Sequence, residues 1–151
     1  MEEDKVQEEL VHCIYSSTAV EEFSESEIVD LLAKARQTNS ELGVTGMLLY
    51  DKGSFFQVIE GEPEVITSLL ASIEKDKRHD RFVKIIYEEI DERDFSEWTM
   101  GYSGVTRKEL NNIEGLNDFF RSNRHFTDLD EGRAKVLLKA FKDGKWRASI
   151  S

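Results

Sequence analysis

Two periodicities in the placement of apolar residues divide most of the chain into strands and helices. Runs of β-branched, aromatic and aliphatic residues occupy positions 10–17, 44–50, 54–60, 82–90 and 97–105. Such runs are typical of β-strands. Between them, apolar residues recur at three- and four-residue spacing from about Ser24 to Asn39 and from Pro63 to about Lys77, which predicts two amphipathic helices. The predicted element order is β-α-β-β-α-β-β.

Several of these predicted elements carry boundary signals. Ser24 with Glu27 three positions later is a capping-box pattern at a helix start. Gly43 lies just past the first helix, where a left-handed residue ends a helix at low cost. Pro63 suits the first turn of the second helix. Residues 51–53 separate two apolar runs with turn-forming residues, which predicts a β-hairpin.

The apolar faces of the two predicted helices, here called stripes, determine the fold class. Each stripe must be buried, and both can pack on one face of the sheet. The predicted fold is therefore a ferredoxin-like α+β sandwich with an extra strand and two C-terminal helices. The first C-terminal helix covers 113–120 and the second 129–141, with Thr127 and Asp130 as its capping pair. The sequence leaves two roles possible for the second C-terminal helix. It can cover the other face of the sheet, or it can form a homo-oligomer interface.

Length and charge limit the classes of partner. The 151 residues suit one domain with appended helices: an acidic tail over 1–9, a core domain over 10–105 and a helical extension over 106–151. With 31 acidic and 20 basic side chains the net charge is −11, which argues against nucleic acid and anionic membranes. No apolar run approaches the ~18 residues of a membrane span. A single cysteine, Cys13, excludes an internal disulfide. We expect a cytoplasmic protein.

Metal and nucleotide motifs are missing from the sequence. The histidines at positions 12, 79 and 125 lie far apart and lack further ligands at metal-binding spacing, so no metal site is predicted. Neither a Gly-x-Gly-x-x-Gly turn nor a P-loop occurs.

Gln57 is the first candidate for chemistry, because it interrupts an apolar strand. Alternation places its side chain on the same face as Phe55 and Ile59. A buried amide left unpaired costs roughly 1–3 kcal/mol per group, so a polar partner is expected. Tyr15 is the candidate, because a ferredoxin-like order places the first strand beside the third. The pattern alone favours an ordinary structural pair.

Several short segments together resemble one family. "IYSS", "ARQTNSELGVTGMLLY", "FFQVIEGE", "DKRH" and "FSEWTMGYSG" are similar, in order and spacing, to the BLUF family of blue-light sensors that use flavin. The resemblance covers about residues 10–105. It implies that an isoalloxazine ring binds between the two helices, on the sheet face that carries Tyr15 and Gln57. FAD is the expected cofactor, with FMN and riboflavin as alternatives.

The resemblance also implies roles for individual residues around the ring. Tyr15 corresponds to the light-active tyrosine and Gln57 to the amide that switches its hydrogen bonds. Asn39 corresponds to the residue that binds the carbonyl and imide edge of the flavin. Leu31 and Ile73 occupy positions that sandwich the ring.

The remaining implied residues lie toward the flavin tail and on the last strand. Asp76, Arg78 and His79 correspond to a segment near the ribityl and phosphate end. Trp98 and Met100 alternate on the last strand, and in the family both occur here, one of them near the glutamine. Their inward or outward orientation is open at this stage.

The function implied by the resemblance is a photoreceptor rather than an enzyme. Blue light would move an electron and then a proton from Tyr15, and Gln57 would be left in a new tautomer or orientation. Because only about 45 residues follow the domain, we expect signalling in trans to a separate protein partner. The apolar face of the 129–141 helix is the reason to expect a homo-oligomer. A flavin-dependent oxidoreductase and an interaction module without a cofactor are the alternatives on the same fold.

Overall fold

A five-stranded sheet with helices on both faces forms the fold. The computed structural model describes residues 9–51, 53–96, 100–104 and 126–142. Its elements are β1 (Leu10–Ala19), α1 (Glu25–Leu42), β2 (Thr45–Asp51), β3 (Ser54–Gly61), α2 (Pro63–Glu74), β4 (His79–Ile90), β5 (Gly101–Gly104), a 3-10 turn (Phe126–Asp128) and α3 (Glu131–Lys142).

The strand order of the sheet is β4-β1-β3-β2-β5. β1 pairs with β3 and β4 in the antiparallel sense, β2 pairs with β3 likewise, and β5 joins β2 in parallel. The predicted ferredoxin-like arrangement with an extra strand is confirmed. Its consequence for the site is direct, because Tyr15 and Gln57 are register partners across β1 and β3.

Each face of the sheet has its own apolar core. Successive side chains of β1 point to opposite faces of the sheet. Cys13 and Tyr15 pack under α1 and α2, whereas Ile14 packs under α3. Leu137 of α3 is fully buried in that second core. Of the two roles left open for this helix, the structure therefore places it on the sheet. No helix in the described ranges has the length and apolar character to cross a membrane.

The start of α1 matches its prediction, but its end does not. Ser24 Oγ accepts the Glu27 N–H at 3.2 Å, and Glu27 Oε1 accepts the Ser24 N–H at 2.8 Å, so the capping box is complete. The helix continues past the predicted end at Asn39 to Leu42. The left-handed residue is Gly43, with φ of 69°, and its N–H donates to the Asn39 carbonyl. Asn39 is thus held inside the last turns of the helix.

The second helix is shorter than predicted. Pro63 begins α2 as expected, but the helix ends at Glu74 rather than near Lys77. Asp76 explains the difference, because its N–H donates to the Ile73 carbonyl at 3.0 Å and its Oδ1 accepts the Arg78 N–H at 3.0 Å. A side chain that binds the backbone two residues ahead stabilises a turn in place of a helix.

The predicted cap of the C-terminal helix was wrong. Thr127 lies in the 3-10 turn, and Asp130 is the capping residue, since its Oδ1 accepts the Arg133 N–H at 2.8 Å. The predicted helix over 113–120, positions 97–99 and 105 of the last strand, and the N-terminal residues 1–8 lie outside the described residues.

Two neighbouring strands, β1 and the edge strand β4, are longer than the apolar runs that predicted them. β1 continues to Ala19 and β4 already begins at His79. The β4 extension consists of His79, Asp80 and Arg81, and the β1 extension of only Thr18 and Ala19. Neither extension is long or apolar enough for hydrophobic periodicity to indicate it.

Gly46 on β2 allows a test of the β2–β3 hairpin, and Gly132 on α3 provides the control. A Cβ at Gly46 would overlap the Val58 main-chain oxygen on β3, whereas a Cβ at Gly132 of α3 would lie 3.7 Å from Asp130 Oδ1. We expect Gly46→Ala to lower the free energy of unfolding by about 3 kcal/mol. Gly132→Ala should raise it by about 0.5–1 kcal/mol, because alanine is favoured within a helix. Urea unfolding followed by circular dichroism measures both, and a parental midpoint for Gly46→Ala would contradict the close approach of β2 and β3.

Candidate functional site

A cavity of about 300 Å³ lies between α1, α2 and the sheet. Clefts of roughly 300–1,000 Å³ are usual for small-molecule and cofactor sites. All the predicted cofactor-binding residues line it: Tyr15, Leu31, Asn39, Gln57, Ile73, Asp76, Arg78 and His79. The fold therefore brings together side chains that are spread over 65 positions of sequence.

Tyr15 lies at the floor of the cavity on β1. Its ring is 4% exposed and stacks on Phe82 of β4, with ring centroids 4.8 Å apart and an interplanar angle of 26°. Burial raises the pKa of the Tyr15 phenol well above its usual value of 10, and the negative charge of the Asp76 carboxylate raises it further. Tyr15 is consequently a neutral, water-shielded hydrogen-bond donor at physiological pH.

Gln57 stands beside Tyr15 on β3. Its Nε2 donates to the Met100 sulfur at 3.3 Å. A primary amide has two N–H donors and a carbonyl acceptor, so this bond to a weak acceptor leaves capacity for a partner in the cavity. Met100 itself is 3% exposed and belongs to the core under α1 and α2. The orientation left open by the sequence is thus resolved for Met100, while Trp98 lies outside the described residues.

The walls of the cavity are apolar and one margin is polar. α1 contributes Leu31 and α2 contributes Ile73, both from helices packed over the same sheet face. Asn39 is 3% exposed and lines the cavity from the last turns of α1, together with Thr38. Aliphatic walls with an amide margin suit a flat, largely apolar ligand that has hydrogen-bonding groups along one edge.

Charged residues surround another part of the cavity, where α2 ends. Arg78 Nε donates to Asp76 Oδ1 at 3.0 Å, and Arg78 Nη2 donates to Asp76 Oδ2 at 2.5 Å. The hydrogen bonds from Arg78 lower the pKa of the Asp76 carboxyl to about 2. His79 Nε2 donates to the Ile73 carbonyl at 2.6 Å, which leaves Nδ1 as its second polar atom. The Arg78 side chain is half exposed, so its charge is available to a ligand tail.

Sequence reasoning missed Phe23, Ser17 and Lys34, which also line the cavity. The Phe23 N–H donates to Tyr50 Oη at 2.9 Å, and its ring lies 5.8 Å below the Arg78 guanidinium. One signal could have found it. Phe23 immediately precedes the capping residue of α1, and an apolar residue there packs on the first turn of the helix as a hydrophobic staple.

The donor set fits a flavin. The aliphatic walls would contact the three-ring system of a flavin. The amides of Asn39 and Gln57 would form hydrogen bonds with its carbonyl and imide edge, and Arg78 would bind an anionic tail. By contrast, no group of three or more potential metal ligands occurs within the described ranges.

The comparison of sequences agrees with this geometry. Residues 10–101, more than half of the chain, match the family model BLUF, described as "Sensors of blue-light using FAD". The chain belongs to the BLUF family. As a BLUF domain it is a flavin-based sensor of blue light, and the family domain itself is a sensor rather than a catalytic unit.

Relatives of this BLUF chain include both short and very long proteins. The structure titled "BlsA ground state" has a TM-score of 0.75 at 29% identity and is matched over 91% of this chain and 90% of that one. "BlrB - a BLUF protein, dark state structure" has a TM-score of 0.72 at 30% identity, over 91% and 98%. "Photoactivated adenylate cyclase subunit alpha" of Euglena gracilis is 36% identical over 90 residues, which are 60% of this chain and 9% of the relative. The chain thus spans about a tenth of that relative's length.

The Asp76–Arg78 pair makes stability depend on pH. Because the pKa of Asp76 is about 2 when folded and ordinarily 3.8, the pair contributes stability above about pH 4 that is lost as the pH falls toward 2. We expect Asp76→Asn to lower the thermal midpoint at pH 7, with a deficit that shrinks across that window. Asp30→Asn, on the exposed side of α1, controls for the lost charge. An equal deficit at pH 7 and pH 2 would contradict the assignment.

Proposed function

We propose that this BLUF domain senses blue light through Tyr15 as electron and proton donor and Gln57 as the switching amide. One observation carries the proposal: the two side chains face each other across β1 and β3 and line the same cavity. Family membership adds the class of cofactor.

We infer that FAD is the cofactor, held by this chain's own groups. Leu31 and Ile73 would pack on the ring system, and Asn39 would bind its polar edge. Lys34 and Arg78 line the cavity as cations, which suits the phosphates of a dinucleotide tail. When bound, a flavin supplies blue-light absorption and an excited-state oxidant. Mass spectrometry of the released chromophore distinguishes FAD from FMN and riboflavin.

The chemistry assigned to Tyr15 follows from its burial. A phenol that loses an electron becomes strongly acidic, so the hydroxyl proton leaves next, toward the neighbouring Gln57 amide. Water is excluded from the ring by the Phe82 stack, which keeps the proton within the site. On return of the proton and electron, Gln57 remains in a different tautomer or orientation. The lasting product is a rearranged hydrogen-bond network.

The signal then leaves through Met100, because its sulfur is the partner of the Gln57 amide at the start of β5. A two-state strand biased by one hydrogen bond is sufficient for a population shift. We propose a separate protein partner as the receiver.

Absorption spectra of the purified protein, taken in darkness and under blue light, test the function. We expect a flavin spectrum with a small red shift that reverses in the dark. Bleaching on addition of a reduced nicotinamide dinucleotide would instead support an oxidoreductase. A colourless protein that fails to bind added flavin would support an interaction module.

Substitutions at the photoactive pair test the residue assignment. Tyr15→Phe and Gln57→Leu should each still bind flavin, because the cavity walls are unchanged, but should lose the red shift completely. Cys13 lies two residues before Tyr15 on the same face of β1, and Cys13→Ser should keep the red shift. A normal photocycle in Gln57→Leu would show that the switch lies elsewhere.

The raised pKa of Tyr15 predicts how the photocycle depends on pH. Since burial keeps the phenol protonated above its usual pKa of 10, the amplitude of the red shift should stay constant from pH 6 to about pH 10. Steady-state spectra under saturating light measure it. A loss of amplitude with a midpoint near the usual phenol pKa of 10, at constant flavin content, would mean that the phenol is exposed to solvent.

A further inference from the structure

Met100 accepts two hydrogen bonds that join different parts of the fold. Its sulfur accepts from Gln57 Nε2 of β3 at 3.3 Å, and its main-chain carbonyl accepts from Arg36 Nε of α1 at 2.9 Å. Gly101, the next residue, pairs with Met47 of β2. Met100, immediately before β5, is thus connected directly to the proposed switching amide and to α1, and to the sheet through Gly101.

The two hydrogen bonds differ greatly in strength. A thioether is a weak acceptor, and methionine has three rotatable side-chain bonds, so the sulfur needs external positioning to remain at the amide. The bond from Arg36 is charge-assisted, and a guanidinium is a rigid donor group. Arg36 is also partly buried, which limits competition from water. The stronger bond therefore determines where the weaker one can form.

Arg36 acts from outside the cavity. It is not among the residues that line the space between α1, α2 and the sheet, whereas Asn39, one turn further along the same helix, is. The bond to the Met100 carbonyl therefore gives Arg36 a route to the proposed photoactive pair that needs no contact with a ligand.

We propose that Arg36 is a positioning residue for the Gln57 switch. By holding the Met100 carbonyl, it keeps the sulfur at the Gln57 amide, stabilises the dark arrangement and sets the rate at which the lit state returns to it. This inference rests on the proposed role of Gln57 as the switch. It also gives α1 a direct connection to the start of β5, so that a displacement of Met100 reaches the helix that carries Asn39.

The rate of dark recovery measures this role. Arg36→Met retains the aliphatic stem and removes the donor, and should slow recovery about tenfold, as expected for loss of one charge-assisted hydrogen bond that favours the dark state. Flavin binding and the size of the red shift should be retained, because Tyr15 and Gln57 are intact. Arg36→Lys keeps a charged donor without the fork and should recover at an intermediate rate. Arg133→Met, the same substitution on α3, should recover like the parent.

A double-mutant cycle separates positioning from a general loss of stability. Met100→Leu removes the sulfur but leaves the carbonyl. If Arg36 acts through the sulfur, Arg36→Met should add no further change in recovery rate on the Met100→Leu background. An unchanged rate in Arg36→Met, or an equal slowing on both backgrounds, would overturn the proposal.

The outcomes also distinguish this inference from the proposed function. A parent protein without a reversible red shift would refute the photoreceptor assignment itself. A parent with a normal red shift, together with an Arg36→Met variant that recovers at the parental rate, would refute only the role of Arg36. Thermal midpoints in the dark, recorded for each variant, confirm that rates are compared between folded proteins.

Discussion

The antiparallel pairing of β1 with β3 is the constraint on which the site depends. Its register places Tyr15 opposite Gln57. Side chains alternate with a period of two, so a slip of one residue would turn either side chain to the opposite face, under α3. The close approach of Gly46 to β3 restrains the other edge of the same strand. The proposed photoactive pair is therefore positioned by the main-chain hydrogen bonds between β1 and β3.

The same alternation makes β1 and β3 common to both cores. Cys13 and Tyr15 face the cavity side, and Ile14 between them faces the core that buries Leu137 of α3. On β3, Phe56 packs under α3 and Phe55 under α1 and α2. Close-packed interiors respond to small shifts by discrete rearrangement rather than by smooth deformation. A change at the cavity thus has a physical route to α3 through the sheet, in addition to the route through β5.

Much of the fold and the site follows from local patterns in the sequence. The element order and the capping box at Ser24 were predictable because they rest on periodicity and on turn chemistry. Eight of the cavity residues were predictable because the motifs resemble those of the BLUF family, whereas Phe23, Ser17 and Lys34 were missed. The end of α2 was not, since the side chain of Asp76 competes with the helix for the backbone. The contact of Arg36 with Met100 joins residues 64 positions apart through a main-chain carbonyl, and no pattern of side-chain types reports such a bond.

The weakness of the Gln57–Met100 hydrogen bond suits the switching role that we propose for Gln57. A carboxylate or carbonyl at the position of the Met100 sulfur would accept the amide more strongly, and the free energy needed to rearrange Gln57 would rise accordingly. A thioether keeps the two arrangements of the amide close in free energy, so a modest change at one group shifts the population. That balance requires the rest of Met100 to be fixed. The buried position of its side chain and the Arg36 donor at its carbonyl meet this requirement, so the proposed light-driven change is directed to the weak bond between Gln57 and the Met100 sulfur.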